Sequence, residues 1–367
     1  MKILSAHKNP RTRRCGAQSG IALIIVMISI FVLTVLAGGF AYSMKVETRL
    51  ARNANSETEL EWMGRSAIEC ARWELAQQLT IAQEPYDGLN QVWAGGQGGA
   101  GTTNSPLADF KNELQTQDGS ATWKIIDLER KANINIASEA ILQQALMVMG
   151  VDAGQMTPVV NSILDWIDKD ENTRIQGAES EFYQSLNPPY MAKNGPIDDI
   201  SELLLIKAAA DFYAPVDPAV AQQNMYNPLT SRFSSAGNAF PGAPVGLTNL
   251  FTPLSNGKIN INTASAEVLQ IIPTITPEAA QGIVSAREGE EDGSGLFGPY
   301  RNVGEVRRVP EVSLPMLGAL QQFCGVRSST FEVHVDAQVA GYHRHFVGVL
   351  GRNNPRDVQI LSFYWTD

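Results

Sequence analysis

From Ile21 to Met44 no charged residue interrupts a run dominated by Ile, Val, Leu, Met and Phe. About 24 residues at a 1.5 Å rise give roughly 36 Å of helix, enough to cross a hydrocarbon core of about 30 Å. After Met44 polar residues return, yet Lys45 to Ala82 contains no proline and only Gly64. Leu50, Ala54, Leu60, Met63, Ala67, Cys70 and Leu75 recur at spacings near three, four and seven, beside Arg, Glu and Asn. The pattern predicts one continuous helix over residues 21–83, half in a membrane and half packed on a domain.

Beyond it the periodicity changes. Residues 84–119 read as a loop region, with a flexible low-complexity stretch, Trp93 to Gly101. Gly96, Gly98 and Gly101 fit G-x-G-x-x-G, but no strand precedes them and no helix follows, which excludes a nucleotide fingerprint. Ala121–Glu129 alternates in the manner of a strand, and three more strands are predicted around Phe331–Val335, Phe346–Leu350 and Val358–Trp365. Asn353-Asn-Pro-Arg-Asp357 marks the last turn.

Between these strands lies an internal repeat. Asn133-Ile-Asn135-Ile-Ala-Ser138 recurs as Asn260-Ile-Asn262-Thr-Ala-Ser265, each followed by an apolar helix, Glu139–Met149 and Ala266–Ile272. Ser138 and Ser265 suit N-caps, since a serine oxygen accepts an early helical N–H. The units close alike, Asp199-Ile-Ser-Glu202 against Asn302-Val-Gly-Glu305. Two related small helical bundles, 131–210 and 259–325, are therefore expected inside a sheet frame.

Length and charge refine this picture. The chain has 367 residues, 44% of them apolar, and a net charge of −10, which supports two or three domains with their own cores. Lys2, Lys8, Arg11, Arg13 and Arg14 crowd the first 20 residues without an acid, so the N-terminus is expected on the cytoplasmic side. The acidic remainder repels nucleic acid and suits divalent cations. Three cysteines build no disulfide scaffold; Cys70 and Cys324 are equally consistent with a bridge or two buried thiols.

The chemically richest stretch runs from Asp165 to Glu179. Counted from Asp168, side-chain oxygens fall at positions 1 (Asp168), 3 (Asp170), 5 (Asn172), 9 and 12 (Glu179), with the Arg174 backbone carbonyl at 7. That is the ligand spacing of an EF-hand loop, although Thr173 replaces the glycine at position 6. A hard, oxygen-rich cation site is expected, with Glu181, Asp198 and Asp199 as further candidate ligands. No H-E-x-x-H, phosphate loop or nucleophile elbow occurs. His343 and His345 alternate on one face of a predicted strand, more in keeping with a surface pair than with zinc ligands. Catalysis is not expected.

A short basic leader ending in Gly20, followed by an uninterrupted apolar helix that becomes amphipathic, resembles type IV pilin-like proteins. The resemblance implies that a prepilin peptidase cuts after Gly20 and N-methylates Ile21. Most members carry Glu at the fifth mature position; this chain has Ile25. That departure, with Asp165-Trp-Ile-Asp168, Gly177-Ala-Glu179, Tyr183, Pro188-Pro-Tyr190 and the order of elements, resembles the minor pseudopilin K family of type II secretion systems. The implied fold is α+β: a long pilin-like helix packed on a small antiparallel sheet, with a large α-helical insert of two related helix-hairpin-helix/SAM-like units. The implied divisions are a cleaved leader (1–20), the helix (21–83), the sheet (84–130 and 326–367) and the insert (131–325). The implied role is structural: a subunit at the pseudopilus tip that helps initiate assembly, anchored in the inner membrane with its bulk periplasmic. The implied partners are minor pseudopilins I and J and the major pseudopilin, and the family's insert binds calcium.

Residues 259–312 also resemble a helix-hairpin-helix module, some of which bind DNA. A membrane-anchored DNA-uptake protein is therefore the alternative. Against it, the hairpin Pro273–Pro277 lacks both glycines and lies near Glu288, Glu290, Glu291 and Asp292.

Overall fold

The apolar run and the amphipathic stripe form a single helix, α1, Ser19–Gln78. The computed structural model describes residues 19–99, 101–117, 119–215, 245–289 and 297–366; the leader up to residue 18 and residues 290–292 lie outside these. The helix ends five residues earlier than the periodicity predicts, where Thr80 and Ile81 bond back to Gln77 and Gln78 in a tightening turn. Gly20 and Ile21 stand in its first turn. The chain divides between Glu59 and Leu60 into two units.

The first unit carries the apolar segment, long and apolar enough to cross a membrane. Its few hydroxyls turn inward on the helix: Ser29 donates to the Ile25 carbonyl at 2.8 Å and Thr34 to that of Ile30 at 2.7 Å. In hydrocarbon this satisfies groups that water cannot.

The second unit begins within α1. Leu60, Met63, Ala67, Ile68, Ala71 and Leu75 are buried along one helical face and pack on Trp123, Ile125, Phe331, Val333, Val335 and Phe346. Gly64 lets the helix close on the sheet, because a Cβ there would stand 2.6 Å from the Phe346 ring. Leu50, part of the predicted stripe, is exposed.

The sheet is built from β1 (Glu113–Gln115) and β2 (Gly119–Asp127). The insert begins with β3 (Ala132–Asn133), the helices α2 (Glu139–Val148) and α3 (Ala153–Ile167), then β4 (Phe251–Thr252). It continues with β5 (Ile259–Asn260) and helices Ala266–Gln270, Pro277–Glu288 and Leu314–Phe323, and closes with β6 (Cys324–Gly325). Three long strands finish the chain: β7 (Thr330–Val339), β8 (Tyr342–Asn354) and β9 (Asp357–Thr366). The main sheet runs β1-β2-β7-β8-β9, antiparallel throughout. Phe331, Val333, Val335, Ala337 and Val339 of β7 all face the core, the period-2 burial of a sheet with one covered face.

The insert has its own core, and the Asn-Ile-Asn segments that open its two units make equivalent contacts. Asn133 and Asn260 each accept the N–H two residues on, at 2.9 and 3.0 Å. Asn135 and Asn262 then clamp a distant backbone with both ends of the amide, Asn135 at Ile197 and Asn262 at Tyr300. Ser138 and Ser265 cap the helices that follow. A short parallel pair closes each unit, β3 with β4 and β5 with β6. In the second unit the hairpin between helices places Thr274 at φ 79°, the left-handed conformation that glycine normally serves.

The joint between insert and sheet is polar and buried. Asp127 accepts from Asn260, Thr263 and Ser328, and burial, then the charge of Glu129, pushes its carboxyl upward. Asp87 pairs with Arg352 at 2.5 Å, both fully enclosed. The glycine-rich loop is held firmly, contrary to its composition. Glu84 accepts from Gln78, Gln91, Gly99 and Thr102, and Trp93 is buried edge-on against Phe331.

Candidate metal centre

Helix α3 ends at Ile167, and its last turn sets Asp165 and Asp168 on one side, three residues apart. The loop then returns through Gln176, whose φ of 63° aims the following N–H groups back at the helix. Gly177 is required at this return, because a Cβ would collide with the Asp165 carboxylate. Lys207 fixes the loop from below, donating to the Gly177 carbonyl at 3.0 Å. Beneath it, Tyr183 is fully buried, edge-on to Trp166 and stacked on Tyr190.

Asp165, Asp168 and Glu179 each bring a carboxylate oxygen within 4.8 Å of the others. Asp165 is fully enclosed and accepts from Ala178 N–H at 2.9 Å, Arg174 N–H at 3.2 Å and the Arg174 guanidinium at 2.8 Å. The same Arg174 Nη1 also donates to Asp168. Glu179 differs. It is 3% exposed, and both of its carboxylate oxygens are buried without a hydrogen-bond partner. Burial, followed by the charges of Asp165, Asp168, Glu171 and Asp170, raises its carboxyl to about 7. An orphaned buried carboxylate is costly unless a cation meets it.

The predicted ligands are thus only partly brought together. Asp168 and Glu179 converge. Asp170 and Asn172 do not: both are exposed, and Asp170 accepts from the Asn172 N–H at 2.8 Å in a local turn. The Arg174 carbonyl accepts from Gly177 N–H, while its guanidinium occupies the space between the two aspartates. Asp198 pairs with Lys193, Asp199 caps the turn at Ser201, and Glu181 is exposed. Asp165, outside the EF-hand numbering, is the third member. The signal for it was the Asp165/Asp168 spacing on a helix rather than a linear loop template. Glu171, which also carries no EF-hand position, accepts from Ser180 and Asn194 and ties the loop to the next helix.

The histidine expectation also changes. His345 meets His334 from the neighbouring strand, at 3.3 Å, and not His343. Cys70 and Cys324 are both free, the first half-buried and the second buried.

The model of a family described as type II secretion system (T2SS), protein K, matches residues 102–222, and a helix-hairpin-helix motif matches residues 255–323. The type II secretion system protein K of Pseudomonas aeruginosa is 26% identical over 285 residues, covering 74% of this chain and 73% of that protein. That of Aeromonas hydrophila is 26% identical over 221 residues, 56% of this chain and 64% of the relative. Among solved structures, the GspK-GspI-GspJ complex from enterotoxigenic Escherichia coli matches with a TM-score of 0.60 at 16% identity, over 86% of this chain and 99% of that one. The long apolar helix, the antiparallel sheet and the paired helical units inserted into it thus go with a likeness, in sequence and in fold, to protein K of type II secretion systems.

Proposed function

We propose that the chain is a minor pseudopilin of a type II secretion system that works at the tip of the pseudopilus, helping to initiate its assembly with minor pseudopilins I and J. Anchorage in the inner membrane with the body periplasmic, and processing between Gly20 and Ile21, belong to the same reading. The observation that carries it is Ile25. A glutamate in an apolar segment is tolerable only beside a neutralising neighbour, such as the N-terminal amine of a subunit above. A tip subunit has none above it and needs no acid there. The solved complex of a related fold with GspI and GspJ supports the choice of partners.

Calcium fits the orphaned Glu179. Asp165, Asp168 and Glu179 would hold the ion in place of the Arg174 guanidinium that lies between the two aspartates, since oxygen ligands at 2.3–2.6 Å suit a cluster of this span. Its role would be structural, neutralising three crowded carboxylates and fixing a loop with little apolar surface of its own. Chemistry on a substrate is no part of this reading. The DNA-binding alternative is not favoured: the hairpin lacks both glycines, and Pro277 at the helix start offers no N–H to a phosphate.

Co-purification tests the assignment. The full chain, expressed with pseudopilins I and J and solubilised in detergent, should copurify with both at equal stoichiometry. Recovery of the chain alone under conditions that preserve an I–J pair would refute it.

A further inference from the structure

On the sheet face opposite α1, two histidines meet across the β7–β8 ladder. His334 pairs with Val347, and Asp336 with His345, so the imidazoles are diagonal neighbours within easy reach. His334 Nδ1 stands 3.3 Å from His345 Nε2. Each outer nitrogen is held by a carboxylate: His334 Nε2 by Glu332 at 2.6 Å, and His345 Nδ1 by Asp336 at 2.8 Å.

Those carboxylates decide the tautomers. An ionised carboxylate only accepts, so the proton of each neutral ring sits on its outer nitrogen. The two inner nitrogens then face each other as lone pairs, an arrangement that repels unless a cation lies between them. A tetrahedral metal with bonds of about 2.0–2.1 Å to imidazole places two nitrogens about 3.3 Å apart, which is the spacing found. Carboxylate-backed histidines are also the usual outer shell of such sites, because the backing fixes the ring and raises ligand basicity.

We propose that His334 and His345 form a chelate for a borderline divalent transition metal of the zinc type, oriented by Glu332 and Asp336. Nitrogen donors separate this site chemically from the all-oxygen cluster at Glu179. Both rings are about one-third exposed, so the remaining coordination positions open to water. Bound metal would staple β7 to β8.

The test uses the full chain in detergent with millimolar calcium present, so that the carboxylate cluster is occupied by its own class of ion. Titration with zinc chloride, followed by calorimetry and thermal melting, should show one equivalent bound and a raised melting temperature. His345→Gln should weaken zinc binding at least about 100-fold. Glu332→Gln should weaken it about 10- to 100-fold, the usual effect of losing an outer-shell partner. His343→Gln, exposed on the same strand, should bind as the wild type does. An unchanged calcium response in each variant would show that it is folded. Equal zinc affinity in wild type and His345→Gln, or no binding up to about 100 μM zinc, would overturn the proposal and leave a proton shared between the rings.

Discussion

Glu74 offers the sharpest test of how α1 is locked to the sheet. The side chain is fully enclosed between helix and strand, with Trp123 Nε1 donating to it at 3.3 Å. The Asn112 amide, turned so that its nitrogen faces the carboxylate, donates at 3.2 and 3.3 Å. Among the described residues no cation pairs with it, and burial lifts its carboxyl from an ordinary 4.5 to about 7, the Trp123 hydrogen bond pulling the other way. An acid with a raised folded value binds its proton more tightly when folded. The unfolded chain therefore releases the proton first, and stability falls as pH rises from 4.5 to 7. A shift of this size is worth about 3 kcal/mol, all of it lost above pH 7. Glu74→Gln removes the titration and keeps an acceptor for Trp123, while the Asn112 amide can turn its oxygen to the new NH2 group. The variant should match the wild type near pH 4.5 and exceed it by about 3 kcal/mol at pH 8.5, with the gap opening through that window. Urea unfolding of the full chain across the range measures this directly. Asp127 and Glu179 titrate in both proteins and cancel in the difference. A gap independent of pH, or a variant less stable throughout, would mean that Glu74 is folded as the anion and the reasoning is wrong.

Other outcomes follow from the same structure. Calcium should raise the melting temperature of the wild type, and Glu179→Gln should abolish that rise; a variant that keeps the full rise would remove Glu179 from the site. Gly64→Ala should destabilise despite the gain of about 1 kcal/mol in helix propensity, because overpacking against Phe346 costs about 1–3 kcal/mol; urea midpoints decide the sign. Arg352→Met should cost about 3–5 kcal/mol by stranding the Asp87 anion in the interior, read as a large drop in urea midpoint at neutral pH.

Much of the architecture was legible in the order of residues. The long helix follows from an uncharged run continued by an amphipathic stripe, and the repeated Asn-Ile-Asn announced two units whose amides clamp equivalent backbones. Less legible was anything set by strand register. His345 looked like the companion of His343 two residues away, whereas pairing of Asp336 with His345 brings in His334 instead. Only packing shows Glu74 and Glu84 enclosed. The cation cluster was half visible: a linear loop template finds Asp168 and Glu179 but passes over Asp165, which joins them through the turn of α3. The glycine-rich stretch misled by composition alone, since Glu84 supplies the hydrogen bonds that its own side chains lack.

Asp127 lies opposite Phe331 in the β2–β7 ladder, so a segment of about 200 residues leaves and rejoins the sheet across the roughly 5 Å that separates paired strands. To the sheet, this segment is a hairpin loop. Closing such a loop costs entropy that grows only logarithmically, about 0.6 kcal/mol for each doubling of length. In chain entropy, the body is therefore nearly indifferent to the length of what hangs from that hairpin. Lengthening either helical unit within it leaves every strand pairing of the main sheet in register. What the body does require of the insert is local: Asn260 and Thr263 must return to meet Asp127 at the joint.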